Sequence, residues 1–198
     1  MYTKDWKKDI FTIPNMLSLF RLVLIPVYVV IYLNAVTLTD HLIAAGILAV
    51  SCLTDLIDGK IARHFNMIST TGKVLDPLAD KATQLTMIIC LLIKYPILKW
   101  LVILFLVKEV FQLIAAIIAL RKGKVLKGAL LSGKISTTVL FVSLIVMVML
   151  PQMDIKYVHI ISIIDSIVLL IAMIDYARAY FTDNPMLQTI EEELGKNQ

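Results

Sequence analysis

The chain has 198 residues, of which 59% are hydrophobic, and a mean hydropathy of +0.86. That is too apolar for an ordinary soluble domain, where roughly 45–50% of residues are apolar. The formal charge of +4 would suit nucleic acid in a soluble protein. Here most cations flank apolar runs, so they are assigned to membrane topology and anionic lipid, and no nucleic-acid partner is expected.

The composition predicts an all-α integral membrane protein, one membrane domain with about six transmembrane helices of about 20 residues each. Residues 1–13 carry Trp6, Ile10, Phe11 and Ile13 among charges. They read as an interfacial helix, or as a tail with one Trp anchor. The first ten residues mix Lys4, Lys7 and Lys8 with Asp5 and Asp9, and the next apolar run is long enough to span, so no cleavable signal peptide is expected.

Residues 14–181 hold the predicted membrane domain. Span 1 runs from about Met16 to Ala35 and carries Arg21; span 2 runs from about His41 to Arg63 and ends in acidic residues. A hydrophilic loop, His64 to Thr71, leads to span 3, about Gly72 to Ile93, with Asp76 and Asp80 in its first turns. Span 4 is about Ile97 to Leu120 with Lys108 and Glu109 inside, span 5 about Leu131 to Leu150 with Lys134 near its start, and span 6 about Tyr157 to Phe181 with Asp165 and Asp175 inside. The last two acids read as structural charges pairing with Lys or Arg in the bundle. Residues 182–198 read as a polar tail, solvated or a short helix. Cys52 and Cys90 lie in apolar segments and read as core thiols. The scattered His41, His64 and His159 suggest neither a metal site nor a nucleophile–His pair.

Orientation follows from Lys and Arg. Lys4, Lys7, Lys8, Lys60, Arg63, Lys73, Arg121, Lys122, Lys124, Lys127 and Lys134 fall on one side, against Lys94, Lys99 and Lys156 on the other. Eleven against three predicts both termini in the cytoplasm, in a multi-pass protein of the cell membrane.

The most informative stretch runs from Asp55 to Asp80. An ionised Asp at the bilayer centre costs about 2.5–3.5 kcal/mol, so four beside hydrocarbon require cations, a watery recess, or both. Asp55 and Asp58 are three apart and share a helix face. Gly72, Asp76 and Asp80 are spaced by four and stack on one face of span 3. The short loop makes spans 2 and 3 antiparallel neighbours whose acidic faces can meet. Hard divalent cations suit such oxygen donors, and two Mg²⁺ ions would neutralise four carboxylates. A paired-metal site clamps the attacking and leaving oxygens of a phosphoryl displacement. Gly59, Ala62 and Gly72 keep the approach to the backbone clear, and Arg63 is a bidentate phosphate donor at the rim.

The order Asp55-x2-Asp58-Gly59-x2-Ala62-Arg63-x8-Gly72-x3-Asp76-x3-Asp80 resembles the signature of the CDP-alcohol phosphotransferases at each of its fixed positions. Ile13-Pro14-Asn15-x-Leu17-Ser18-x2-Arg21 and Asp76-Pro77-Leu78-Ala79-Asp80-Lys81 are similar to elements of bacterial phosphatidylglycerophosphate synthases. The resemblance implies transfer of the phosphatidyl group of CDP-diacylglycerol to an alcohol, with release of CMP. It implies Asp55, Asp58 and Asp76 as metal ligands, with Asp80 contributing to a second site, for Mg²⁺ or Mn²⁺. It makes Asp80 the base for the acceptor hydroxyl and places CDP on Asp55, Asp58, Gly59, Ala62, Arg63, Gly72 and Asp76. It also implies a homodimer.

The implied acceptor is glycerol 3-phosphate, with Arg21, Lys81, Lys108 and Lys134 as candidates for its phosphate. Lys108-Glu109 stands where that branch usually has Arg-Glu, and Ser136 where it often has Lys. Lys lacks the guanidinium fork, so other acceptors stay open: phosphatidylglycerol in a cardiolipin-type synthase, inositol phosphate, or serine. Lys108 and Glu109 also fit a purely structural pair. A membrane prenyltransferase shares Asp-rich helices but lacks the Gly59, Ala62-Arg63, Gly72 framework. A cation-coupled transporter would place its acids near mid-membrane and show an internal repeat. Here the acids cluster at one end and no repeat is visible.

Overall fold

The computed structural model describes residues 13–64, 72–126, 128–181 and 187–189, with the side chains of 13–14, 55–64, 72–74, 125 and 187–189 outside that description. Six long helices account for most of it: α1 (Ile13–Leu33), α2 (Leu38–His64), α3 (Gly72–Lys94), α4 (Lys99–Arg121), α5 (Leu131–Met149) and α6 (Ile155–Phe181). The sequence-based spans agree with them to within about three residues, and local capping chemistry accounts for the clearest differences.

Helix α2 starts at Leu38, three residues before the expected His41, because Thr37 and Asp40 close a capping box. The Thr37 and Val36 amides donate to Asp40 Oδ2 at 2.8 and 3.0 Å, and the Asp40 amide donates to Thr37 Oγ1 at 3.2 Å. The Asp40 amide, one of the first-turn amides without an intrahelical acceptor, is satisfied this way, while the Asp40 carboxylate reaches back to the chain before the helix. Helix α6 starts early for a related reason: the Lys156 amide donates to Asp154 Oδ1 at 2.9 Å. A 3₁₀ turn, Pro96–Leu98, leads into α4. Pro14 lies in the first turn of α1, where a missing N–H costs nothing.

The C-terminal segment departs from expectation. Gly123, at φ +69°, turns the chain out of α4, a conformation that favours glycine. It leads into β1 (Lys124–Leu126), which pairs antiparallel with β2 (Leu187–Thr189). The register sets Lys124 opposite Thr189 and Leu126 opposite Leu187. The reading of 182–198 as a solvated tail or short helix therefore missed a strand. Its backbone finds ladder partners on the basic connection between α4 and α5. The remainder of the tail, Lys127 and the predicted interfacial segment lie outside the described residues.

The chain forms two compact units. One comprises Met1–Lys94 with Leu144–Met153, the other Tyr95–Ser143 with Asp154–Gln198. In the first, α1 packs against both α2 and α3, around a core that includes Tyr28, Leu48, Met87, Ile88 and Leu91. In the second, α4 packs against α6, with Leu101, Phe105, Leu140, Leu169 and Ala172 buried.

The stretches Asn15–Leu33, Pro96–Arg121, Leu131–Met149 and Ile155–Phe181 are long and apolar enough to cross a membrane, and α2 carries a shorter apolar stretch, Leu38–Thr54. Their outward residues are apolar at helical spacing: Val23, Val27 and Val30 on α1, and Ile160, Ile163, Ile167, Ile171 and Ile174 on α6, are all exposed. Stripes that large do not persist against water; facing hydrocarbon, they have their solvent.

Candidate active site

The site is built from α1 outward. In an otherwise apolar helix, Asn15, Ser18 and Arg21 are each no more than 4% exposed. Spaced by three, they share the face that α1 turns toward α2 and α3. At the level of Ser18, α3 supplies Asp76, and the Ser18 hydroxyl donates to Asp76 Oδ1. Asp80 follows one turn later, and both carboxylates are half-buried, as is Lys81. Pro77 lies inside α3 immediately after Asp76, so the backbone there lacks one ladder donor.

Beyond the acidic turn the same helices enclose a small pocket lined by Arg21, Tyr28, Ser51, Thr83 and Thr86 with Leu24, Ile25, Ile47 and Leu48. Arg21 is thus buried on the face of α1 that lines this pocket together with Thr83 and Thr86 of α3. Thr83 donates to its own helix at Ala79 O, at 2.8 Å. The buried Tyr28 hydroxyl and Gln84 Oε1 have no hydrogen-bond partner among the described residues. Gln84 is one turn beyond Asp80 on the stripe Asp76, Asp80, Gln84, so the polar face of α3 extends further than its carboxylates.

The six positions Asp55, Asp58, Gly59, Ala62, Arg63 and Gly72 lie on helical backbone, as their spacing predicts. Their side-chain placement, and with it the meeting of the two acidic faces, lies outside the described residues. Sequence reasoning expected α2 and α3 to be direct neighbours. Among the described residues α1 packs on each, α2 and α3 both line one pocket, and the side chains of their facing ends lie outside the described residues. Among the described residues no group of three His, Cys, Asp or Glu side chains is placed to hold a metal. Asp76 and Asp80 still fit a hard divalent cation: both are oxygen donors on one helix face, and the hydroxyl that Asp76 accepts is neutral, so its charge is left for a metal.

The remaining basic candidates belong to the second unit. Lys108 is 1% exposed, and its Nζ meets Glu109 Oε1 at 2.8 Å. That contact accords with the structural-pair reading, since an isolated buried ammonium would be costly. Lys134 is exposed near the start of α5. Ser136, where a Lys was the alternative, is buried and donates to Gly133 O at 2.9 Å.

Asp165 corrects an expectation. Its described partner is Ser143, whose hydroxyl donates to Oδ2 at 2.7 Å, rather than a Lys or Arg. Ser143 lies 22 residues away on α5, and no local pattern announces it. The Ser18–Asp76 contact was also missed; the available signal was Ser18's position three residues before Arg21, on the same face.

The family of CDP-alcohol phosphatidyltransferases matches residues 11–175 of this chain. A CDP-diacylglycerol–glycerol-3-phosphate 3-phosphatidyltransferase of Shigella flexneri serotype 5b is 33% identical over 180 residues, covering 87% of this chain and 97% of the relative. The protein of that name from Escherichia coli K12 is 44% identical over 71 residues, 36% of this chain and 38% of its own length. A cardiolipin synthase (CMP-forming)/mitochondrial hydrolase fusion protein of Schizosaccharomyces pombe is 40% identical over 88 residues, 44% of this chain but only 14% of the fusion. With the acidic stripe of α3, the buried polar face of α1 and these correspondences together, the chain belongs to the CDP-alcohol phosphatidyltransferase family and is a multi-pass membrane transferase of phospholipid biosynthesis.

Proposed function

We propose that the chain transfers the phosphatidyl group of CDP-diacylglycerol to glycerol 3-phosphate, giving phosphatidylglycerophosphate and CMP. The observation that carries this is the correspondence with the Shigella enzyme along 97% of that enzyme's length. The reading takes all six helices as spans, with both termini and the acidic turns at the cytoplasmic face of the cell membrane. It takes the protein as a homodimer, by resemblance.

Asp55, Asp58 and Asp76 would hold one Mg²⁺ or Mn²⁺ ion, with Asp80 contributing to a second. When bound, the metal pair would offset the charge of the diphosphate and the charge that develops on the leaving CMP. Gly59, Ala62, Arg63 and Gly72 cradle the cytidine diphosphate. Asp80 accepts the proton of the acceptor hydroxyl as that oxygen bonds to the lipid-linked phosphorus, and the phosphorus–oxygen bond to CMP breaks. Holding both reactants in line is where most of the rate enhancement of such transfers arises. Arg21, buried on the face of α1 that lines the pocket with Thr83 and Thr86, takes the acceptor phosphate, aided by Lys81. Lys108 and Lys134 are the further candidates for that phosphate.

A second reading, with phosphatidylglycerol as acceptor, rests on the match to the Schizosaccharomyces pombe fusion protein whose name includes cardiolipin synthase. The test is direct. Purified protein is given CDP-diacylglycerol and Mg²⁺, acceptors are offered singly, and the lipid formed is identified. Phosphatidylglycerophosphate from glycerol 3-phosphate is expected. Cardiolipin from phosphatidylglycerol, with no product from glycerol 3-phosphate, would replace this reading with the second.

A further inference from the structure

Hydroxyl side chains inside these helices mostly donate to a carbonyl of their own helix. Thr83 bonds Ala79 O, Ser136 bonds Gly133 O, and Ser166 bonds Ser162 O. Such bonds are the default for Ser and Thr within a helix. Ser18, like Ser143 on α5, also reaches a carboxylate of another helix. The Ser18 hydroxyl, on a residue with no exposed surface, donates across to α3, to a carboxylate 58 residues away.

That carboxylate is Asp76. A hydroxyl donating to an ionised carboxylate makes a charge-assisted bond, stronger than a neutral one. It occupies Oδ1, sets the rotamer and plane of the group, and leaves Oδ2 to other partners. The backbone beneath gives less support than a regular helix would, because Pro77 follows directly and removes a ladder hydrogen bond. Orientation from a second helix compensates for that.

We propose that Ser18 is a positioning residue: through α1 it holds the Asp76 carboxylate in the orientation in which it binds a divalent cation. The inference rests on the metal-dependent reading above, in which Asp76 is a ligand. On this proposal Ser18 is neither a metal ligand nor a substrate contact. It acts through Asp76, as outer partners of ligating carboxylates do, and losing such a partner typically costs about 10–100-fold in metal affinity or activity.

The experiment uses the full-length protein in detergent or nanodiscs, with Mn²⁺ alone as probe, titrated by electron paramagnetic resonance without substrate. Ser18→Thr and Ser18→Val are compared beside Ser18→Ala. The first two have nearly the same volume and differ in the hydroxyl, so a packing defect affects both alike. Ser18→Ala and Ser18→Val are expected to weaken Mn²⁺ binding by about 10–100-fold. The Mn²⁺ concentration for half-maximal transfer should rise in parallel, and Ser18→Thr should restore binding relative to Ser18→Val. Equal binding by Thr and Val variants overturns the proposal. So does lost activity with Mn²⁺ binding intact, which would make Ser18 a substrate contact. If wild-type protein binds Mn²⁺ and forms product while Ser18→Ala matches it in both, this inference alone fails. If wild-type protein does neither, the metal-dependent reading itself fails and takes the inference with it.

Discussion

Asp76 and Asp80 are chemically identical and one turn apart, and the proposed function gives them different roles. Asp76 accepts the Ser18 hydroxyl, which on the proposal above holds it in one orientation. Asp80 is half-buried on the same stripe, between Asp76 and the buried Gln84, where a carboxylate can meet an acceptor hydroxyl. Replacing Asp80 with Asn keeps the size, turns one acceptor oxygen into an amide donor and removes the proton acceptor. Asp80→Asn should lower turnover by about 10²–10⁴-fold, the usual contribution of a general base, while CDP-diacylglycerol still binds. Turnover and equilibrium binding of the donor measure the two separately. An Asn variant with full turnover would remove Asp80 from the base role. The acidic positions were legible because four side chains of one charge beside hydrocarbon must be matched by cations or water. Ser18 was not legible, because one hydroxyl in a helix ordinarily bonds its own backbone.

At the scale of elements, the start of α5 is set by a contact between helices. Tyr176 of α6 lies against Gly133: a Cβ built on that glycine would stand 2.6 Å from the tyrosine oxygen. The same oxygen accepts the Leu130 amide at 3.3 Å, one of the amides that a helix N-terminus leaves without an internal acceptor. Gly133 is therefore needed for close approach rather than for an unusual backbone angle. Gly133→Ala should destabilise the protein by about 1–3 kcal/mol through overpacking, read as a lower Tm of the purified protein. The penalty should shrink in a Tyr176→Leu background, where the ring is absent. An unchanged Tm in Gly133→Ala would mean that the ring swings aside freely. Helix limits were largely legible, since Pro, Gly and charge clusters punctuate the apolar runs. The three-residue displacement at α2 came from a capping box whose two partners, Thr37 and Asp40, are both visible in the sequence.

For the whole molecule, the exposed apolar stripes and the buried polar face of α1 together describe a protein whose solvent is lipid and whose chemistry is sequestered. On the proposed reading, such a site depends on cations to make its carboxylates tolerable. Chelation should therefore abolish transfer, and added Mg²⁺ or Mn²⁺ should restore it; sustained metal-free turnover would rule out the site proposed here. The loss should exceed that of Asp80→Asn, because donor binding and charge stabilisation go together.

By itself the sequence determined the class of solvent, the places of six helices and the acidic face of α3. These rest on hydropathy and on a spacing of three or four residues, which are local properties that a chain carries before it folds. Tertiary structure alone decided that α1 packs on both α2 and α3, and that Ser18 reaches Asp76. It also decided that Ser143, and not a cation, partners Asp165, and that β2 joins the basic connection as a strand. Each of these contacts joins residues far apart in the chain, and helical periodicity says which face a side chain occupies but not which neighbour will cover it.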